Sequence, residues 1–219
     1  MNTHEVTKIT VLGHACVLLE VVRAGRTVRI LVDPGNLTPA LDEVGVVDAV
    51  LVTHDHPDHL DPEQIDRLRL HGPLKVFGPV GIAGRLALPD SAVTIIESGS
   101  FEIAGIEITC IESTHETIYP GVPLPANLGY LIGGVFVPGD ALSAPDSPLD
   151  VLLAPIAGPW MKLSEGIDFV RHVAPRAVIP IHDGGLAAAH QALHRALLGR
   201  SLPAGTELRI VNPGETTVV

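Results

Sequence analysis

The sequence has few basic residues, few aromatic residues and no long apolar run. Its 219 residues include 14 Lys and Arg against 25 Asp and Glu, a formal net charge of −11, and aromatic residues make up only 3%. This composition excludes a basic, phosphate-neutralising surface and an aromatic stacking platform as the basis of function. No apolar run reaches the roughly 18 residues that a membrane-spanning helix needs. We therefore expect a small-molecule substrate as partner, no nucleic acid and no membrane span.

Cysteine is also scarce. Cys16 and Cys110 lie in apolar, strand-like segments and match no Cys-x-x-Cys spacing, so we expect buried free thiols rather than a disulfide. The first residues show no basic stretch followed by an apolar block, the pattern of a secretory signal. These features predict a cytoplasmic protein with one domain over residues 1–219, and they leave room for a homo-oligomer.

Segments rich in Val, Ile and Leu alternate with turn residues along the chain, as expected for β-structure that is packed on at least one face. Strands fill the first third and are expected again over Phe101–Ile111, Leu128–Val137 and Leu208–Val211. Helices are predicted over Pro62–Leu70, Gly78–Leu88, Ser164–Val173 and Leu186–Leu198. Two strand-rich blocks, each followed by helices, predict an α/β fold of two stacked sheets with helices on the outer faces. Proline and glycine between Thr117 and Asn127 predict a loop close to the next candidate site residue.

The most informative segment is His54-Asp55-His56-Pro57-Asp58-His59. Imidazoles and carboxylates are the ligands that hold zinc, manganese or iron. The segment follows an apolar run and precedes a capped helix start, so it occupies a strand-to-helix turn. An extended turn would send His54 and His56 to one side while Asp58 and His59 reach past it, which suggests two adjacent metal sites. A solvated polar turn is the alternative, but such a turn gains nothing from so many ligands.

Three later apolar runs each end in a single residue of the same kinds, namely His115, Asp140 and His182. Taken singly, each could be a surface histidine or an ordinary turn. Side chains at strand ends converge at one edge of a sheet, so together they extend the cluster into a candidate metal centre. Asp33 ends a fourth run and is expected to accept a hydrogen bond that orients a ligand histidine, while His14 is expected to face the pocket.

The sequence resembles the metallo-β-lactamase superfamily, whose members are metal-dependent hydrolases with a four-layer αββα sandwich. The resemblance lies in the motif His54-x-His56-x-Asp58-His59, followed in order by His115, Asp140 and His182. The resemblance implies that one metal is bound by His54, His56 and His115. It implies that Asp58, His59 and His182 bind the second metal, with Asp140 bridging the two. The segments around His14, Asp33 and His182 resemble the branch that includes ascorbate-6-phosphate lactonase-like enzymes and N-acyl-phosphatidylethanolamine phospholipase D.

The expected cofactors are two divalent metal ions, zinc by default, with manganese or iron as alternatives. The expected reaction is hydrolysis of a small ester, lactone or phosphodiester by a metal-bridging hydroxide, with Asp58 as both ligand and proton acceptor. Trp160 and Lys162 lie on a loop and are candidates for the substrate pocket. His190 and His194 belong to an ordinary amphipathic helix without a carboxylate partner. A mononuclear iron oxidoreductase and a metal-containing ligand-binding or sensing protein without hydrolytic activity stay open as alternatives.

Overall fold

The computed structural model describes residues 5–219. The first seven strands in chain order are β1 (Glu5–Gly13), β2 (Cys16–Arg23), β3 (Arg26–Val32), β4 (Ala49–Leu51), β5 (Val76–Gly78), β6 (Val93–Ile95) and β7 (Gly99–Ile103). The remaining strands are β8 (Ile106–Thr114), β9 (Ala126–Ile132), β10 (Val135–Val137), β11 (Val151–Pro155), β12 (Ala177–Ile181), β13 (Glu207–Leu208) and β14 (Thr216–Val218). The helices are α1 (Pro62–Arg69), α2 (Leu163–Val173) and α3 (Ala188–Ser201), with short 3-10 helices at Val80–Gly84 and Asp90–Ala92.

The strands form two seven-stranded mixed sheets, in the orders β14-β1-β2-β3-β4-β5-β6 and β13-β12-β11-β10-β9-β8-β7. In the first sheet β14, β1, β2 and β3 pair antiparallel and β3 to β6 pair parallel. In the second sheet β10 to β13 pair parallel and β7 to β10 pair antiparallel. The carboxyl ends of β1, β3 and β4 therefore share one edge of the first sheet. Those of β8, β10 and β12 share one edge of the second.

Three apolar clusters hold four layers together. The largest cluster lies between the sheets and takes side chains from both, among them Ile9, Leu19, Ile108 and Tyr130. A second cluster packs the outer face of the first sheet against α1, and a third packs the second sheet against α2 and α3. Each fully buried aliphatic or aromatic side chain stabilises the fold by about 1.5–3 kcal/mol. The predicted αββα sandwich of two mixed sheets with outer helices is confirmed.

Helix α1 begins where its sequence predicts. Asp61 is the N-cap, and its side chain accepts a hydrogen bond from the Glu63 backbone N–H at 3.0 Å, while Pro62 takes the first helical position. Proline suits that position because its missing N–H has no partner inside the helix. Ile65 and Leu68 face the first sheet and are buried. The start of this helix fixes where the preceding turn ends.

Several predicted elements are wrong in extent or in kind. The helix expected over Gly78–Leu88 is a strand end followed by the 3-10 helix Val80–Gly84, because proline and three glycines in this stretch disfavour an α-helix. The sequence predicts a strand-rich stretch over Phe101–Ile111 without placing its turn, and the structure has a hairpin there that turns at Ala104 and Gly105. The Leu128–Val137 stretch is a second hairpin, and in the Leu208–Val211 stretch only Leu208 pairs, as the end of β13.

Candidate metal centre

Strand ends of both sheets bring the candidate ligands to one edge of the sandwich. His115 directly follows β8 and His182 directly follows β12, while Asp140 lies three residues beyond β10 and His54 three residues beyond β4. All four side chains are buried. Because β8, β10 and β12 point in the same direction, the residues that follow them meet at one edge of the second sheet although they are far apart in the sequence.

The turn between β4 and α1 carries the other candidates. The backbone N–H groups of His59 and Leu60 donate to the His56 carbonyl oxygen at 3.0 and 2.9 Å, which closes the turn tightly. Gly35, in the segment after β3, packs against this turn, where a Cβ would overlap the Asp58 backbone. Only glycine allows the two segments to approach this closely.

The potential ligand atoms fall into two groups, in each of which they lie within 4.8 Å of one another. One group contains His54, His56, His115 and Asp140. The other contains His14, Asp58, His59 and His182. His54 and His56 thus fall in one group and Asp58 and His59 in the other, although the turn closes after His56 instead of staying extended.

Asp140 lies between the two groups. Its Oδ1 atom is 3.1 Å from the Nε2 atoms of both His59 and His182. Its Oδ2 atom is 3.4 Å from Nε2 of His115 and 3.9 Å from Nε2 of His54. One carboxylate oxygen faces each group, an arrangement that suits a carboxylate bridging two metal ions.

Hydrogen bonds donated by Nδ1 orient three of the buried histidines, His59, His115 and His182. Their Nδ1 atoms contact oxygen acceptors, namely Asp33 Oδ2 at 2.8 Å, the Glu116 carbonyl at 2.6 Å and the Ala157 carbonyl at 2.6 Å. Carbonyl and carboxylate oxygens only accept, so each Nδ1 carries a hydrogen and the neutral ring keeps its lone pair on Nε2. Metal-binding histidines have such a second partner.

Several ligand-candidate atoms of the centre are buried without a hydrogen bond, and its charged groups interact strongly. Within residues 5–219, the Nε2 atoms of His54 and His115 and Oδ1 of Asp140 are buried without a hydrogen bond. Burial would raise the pKa of Asp140, but His59 and His182 hold it well below its usual range. Burial would lower the pKa of His59, but Asp140 and Asp33 hold it well above its usual range. Buried imidazole and carboxylate groups of this kind suit zinc, manganese or iron.

Asp33 and His14 each contact one of the ligand candidates. The buried Asp33 carboxylate accepts hydrogen bonds from the Thr53 backbone N–H at 2.7 Å, the Thr53 hydroxyl at 2.8 Å and His59 Nδ1 at 2.8 Å. His14 follows β1, and its Nε2 atom lies 3.2 Å from Asp58 Oδ2. Burial lowers the pKa of His14. Both residues thus brace the turn that carries the ligand candidates.

Trp160 flanks the centre, whereas Lys162 lies further out. The Trp160 side chain is buried, with its ring centroid 5.7 Å from that of His182 and 6.1 Å from that of His115. Lys162 is exposed at the start of α2. In α3, His194 contacts the Ile156 carbonyl at 2.8 Å, and neither it nor His190 belongs to the two groups.

Sequence reasoning missed Asn127. Its side-chain oxygen accepts a hydrogen bond from the Asp140 backbone N–H at 3.0 Å, and its amide donates to Ser113 Oγ and the Pro138 carbonyl, each at 2.8 Å. Asn127 therefore fixes the segment that carries Asp140. It is the second residue of β9 and the last residue of the predicted loop. A single asparagine at such a position does not indicate a functional role in the sequence.

The four-layer fold and the donor set define an αββα protein with a candidate two-metal centre at one edge. The chain belongs to the family described as beta-lactamase superfamily domain, whose model matches residues 8–182. The metallo-β-lactamase superfamily prediction is thereby confirmed. Within residues 5–219, no helix combines the length and the apolar character needed to cross a membrane.

Relatives in sequence and in structure agree with this assignment. The chain is 34% identical to Protein Rv0786c of Mycobacterium tuberculosis over 187 residues, which cover 82% of this chain and 85% of the relative. It is 29% identical over 195 residues to a UPF0173 metal-dependent hydrolase of Pyrococcus furiosus, with 80% and 84% covered. Igni18, a metallo hydrolase of Ignicoccus hospitalis, has the same fold, with a TM-score of 0.71, 21% identity and coverage of 97% and 98%.

Proposed function

We propose that this metal-dependent hydrolase of the beta-lactamase superfamily cleaves a small ester, lactone or phosphodiester at a centre of two divalent metal ions. The observation that carries the proposal is the position of Asp140, with one oxygen facing each group of donors. A mononuclear site would need only one of these groups. The relatives named metal-dependent hydrolases support the same activity for this chain.

We assign the ligands residue by residue. His54, His56 and His115 would hold one ion, Asp58, His59 and His182 would hold the other, and Asp140 would contribute to both. Two zinc ions held there would lower the pKa of bound water toward roughly 7 and polarise a carbonyl or phosphoryl oxygen. Manganese and iron accept the same ligand types.

Asp58 differs from the other ligand candidates in its exposure. Its side chain is 30% exposed, whereas those of His59 and Asp140 are 1% and 2% exposed. Its contacts with His14, His59 and His182 all involve Oδ2, which leaves Oδ1 free to accept the proton of the attacking water. Burial would raise the pKa of Asp58, but the hydrogen bond from His14 and the nearby histidines lower it. Asp58 therefore stays ionised and passes a proton on rather than keeping it.

Trp160 is our candidate for the apolar wall of the substrate pocket, because its ring lies beside His115 and His182. It would exclude water from one side of the reacting bond. Lys162 is our candidate for an outer contact with an anionic substrate group. If these assignments hold, Trp160→Ala raises KM more than it lowers kcat, and Lys162→Ala affects only anionic substrates.

The test begins with elemental analysis of protein purified without added metal. Hydrolysis of generic lactones, esters and bis-p-nitrophenyl phosphate is then compared between the native protein, Asp58→Ala and Asp66→Ala. Asp66→Ala is the control, because the Asp66 side chain is 71% exposed and pairs with Arg69, which is not a ligand candidate. We expect turnover in the native protein and the control, and its loss in Asp58→Ala. One iron per chain with oxygen-dependent turnover, or tight metabolite binding without hydrolysis, would contradict the proposal.

A further inference from the structure

We propose that His14 is not a metal ligand but a positioning residue, which holds Asp58 through its Nε2–H group. The inference rests on the proposed function, because it assigns a role at the same centre. Its basis is the set of hydrogen-bond partners around the imidazole ring.

Distance alone would make His14 a fourth donor of the second group. Its ring nitrogen lies within 4.8 Å of the ligand atoms of Asp58, His59 and His182, and its ring centroid is 4.0 Å from that of His182. Proximity therefore does not separate His14 from the ligand candidates. The position of the hydrogen on its ring does.

Two contacts determine that position. The Gly184 backbone N–H lies 3.1 Å from His14 Nδ1, and a backbone N–H can only donate, so Nδ1 is an acceptor. The neutral ring then carries its hydrogen on Nε2, which lies 3.2 Å from Asp58 Oδ2, an oxygen that can only accept. Both contacts are satisfied by this one tautomer.

This tautomer is the reverse of the one in the neutral rings of His59, His115 and His182, whose Nδ1 atoms donate and whose Nε2 atoms face the candidate metal centre. If Nε2 of His14 bound a metal, its hydrogen would move to Nδ1. That hydrogen would then face the Gly184 N–H, so that two donors would oppose each other at 3.1 Å where a donor and an acceptor now meet. The backbone of Gly184 thus selects against His14 as a ligand.

The backbone of His14 is fixed beside the second sheet. The His14 carbonyl oxygen accepts a hydrogen bond from the His182 backbone N–H at 2.9 Å, which joins the end of β1 to the end of β12. Gly184 packs closely on the ring, since a Cβ there would lie 3.0 Å from His14 Cβ and 3.2 Å from Nδ1. The His14 backbone therefore contacts the end of β12 in the second sheet, while its ring contacts Asp58 in the turn after β4 of the first sheet.

Asp58 depends on this contact. In the described part of the chain, His14 Nε2 is the one hydrogen-bond partner of the Asp58 carboxylate. Without it, the partly exposed carboxylate is free to rotate, and both its ligand geometry and its proton-accepting oxygen lose their position. His14 thereby acts on the reaction through Asp58.

The test uses two substitutions that separate the contacts of the ring. In His14→Asn, the amide oxygen can still accept from the Gly184 N–H, but nothing reaches Asp58; asparagine also tolerates the φ of 51° at this position. In His14→Gln, the longer amide can still donate to Asp58. We expect His14→Asn to lower kcat/KM about 10- to 100-fold, as loss of a ligand's orienting partner does. His14→Gln should restore much of the activity.

Zinc content and NMR provide readouts that do not need activity. With Zn²⁺ added, both His14 variants should bind as much zinc per chain as the native protein, while His182→Asn should bind less. In ¹⁵N spectra of the native imidazoles, His14 should stay protonated at Nε2 when zinc is added. Reduced zinc content in both His14 variants, or loss of the Nε2 hydrogen on zinc binding, would overturn the assignment. Absence of hydrolysis with unchanged zinc and NMR results would instead refute the proposed function.

Discussion

Replacement of Asp33 by asparagine tests how the ligand-bearing turn is supported. The Asp33 carboxylate is fully buried and every hydrogen bond that it makes is to a donor, two from Thr53 and one from His59. The substitution keeps the size and shape of the side chain. It turns one oxygen into an NH₂ group, which must point at a donor whichever way the amide is oriented.

The structure sets the size of the effect. With NH₂ on the Oδ1 side, the Thr53 backbone N–H loses its acceptor; on the Oδ2 side, the Thr53 hydroxyl and His59 Nδ1 both lose theirs. Each buried donor left unsatisfied costs about 1–3 kcal/mol. The amide takes the cheaper orientation, which leaves one donor unsatisfied, so we expect Asp33→Asn to lower the free energy of unfolding of the metal-free protein by about 1–3 kcal/mol. Zinc affinity should fall about 10- to 100-fold, because His59 loses its orienting carboxylate.

Urea unfolding of the metal-free protein measures the first quantity and zinc titration with a competing chelator measures the second. Asp66→Asn is the matched control, since the Asp66 side chain is 71% exposed and should change stability by no more than about 0.5 kcal/mol. A loss below about 1 kcal/mol in Asp33→Asn, with zinc affinity unchanged, would refute the reasoning.

Three further predictions follow from local geometry. Gly139→Ala should destabilise the fold by about 1–3 kcal/mol and lower zinc affinity, because its Cβ would overlap the Asn127 side-chain oxygen. Gly121→Ala is the control, since Gly121 also has a positive φ but open space around it. In unfolding and zinc titrations, the control should cost less stability and leave zinc affinity unchanged. Burial raises the pKa of Cys110 to about 11, so a thiol reagent at about pH 8 should label neither cysteine until urea is added, and labelling of the native chain would contradict this. Exposed His190 lies outside both donor groups, so His190→Ala should leave zinc content unchanged by elemental analysis, and any loss would contradict its exclusion.

The fold was predictable where local pattern and tertiary structure agree. Runs of Val, Ile and Leu bounded by glycine predict most strands, and the cap at Asp61 predicts the start of α1. The failures are places where a short backbone feature is hidden in an apolar run. Ala104 and Gly105 make a two-residue turn, with φ of 48° and 79°, inside what reads as one strand. Composition alone does not reveal such a turn.

The candidate site divides in the same way. His115, Asp140 and His182 could be proposed from the sequence because each stands at the end of an apolar strand, where side chains converge. The partners that orient such residues could not be. The hydrogen bond that sets the tautomer of His14 comes from Gly184, 170 residues away, through a backbone group that every residue except proline possesses. Such a contact depends on how the two sheets meet, so no local pattern contains it.

Three residues at the candidate metal centre have an unfavourable backbone conformation. His14, Asp33 and His182 all have positive φ, between 51° and 62°, a conformation that glycine adopts at little cost. Keeping a side chain there costs roughly 1–2 kcal/mol per residue. Among residues 5–219, the other non-glycine residues with positive φ are alanines without side-chain chemistry, at the hairpin turns and after α2, namely Ala24, Ala104 and Ala174. At the three strand ends, glycine would relieve the strain but remove an imidazole or a carboxylate, so the side chains at the centre are retained against the backbone preference.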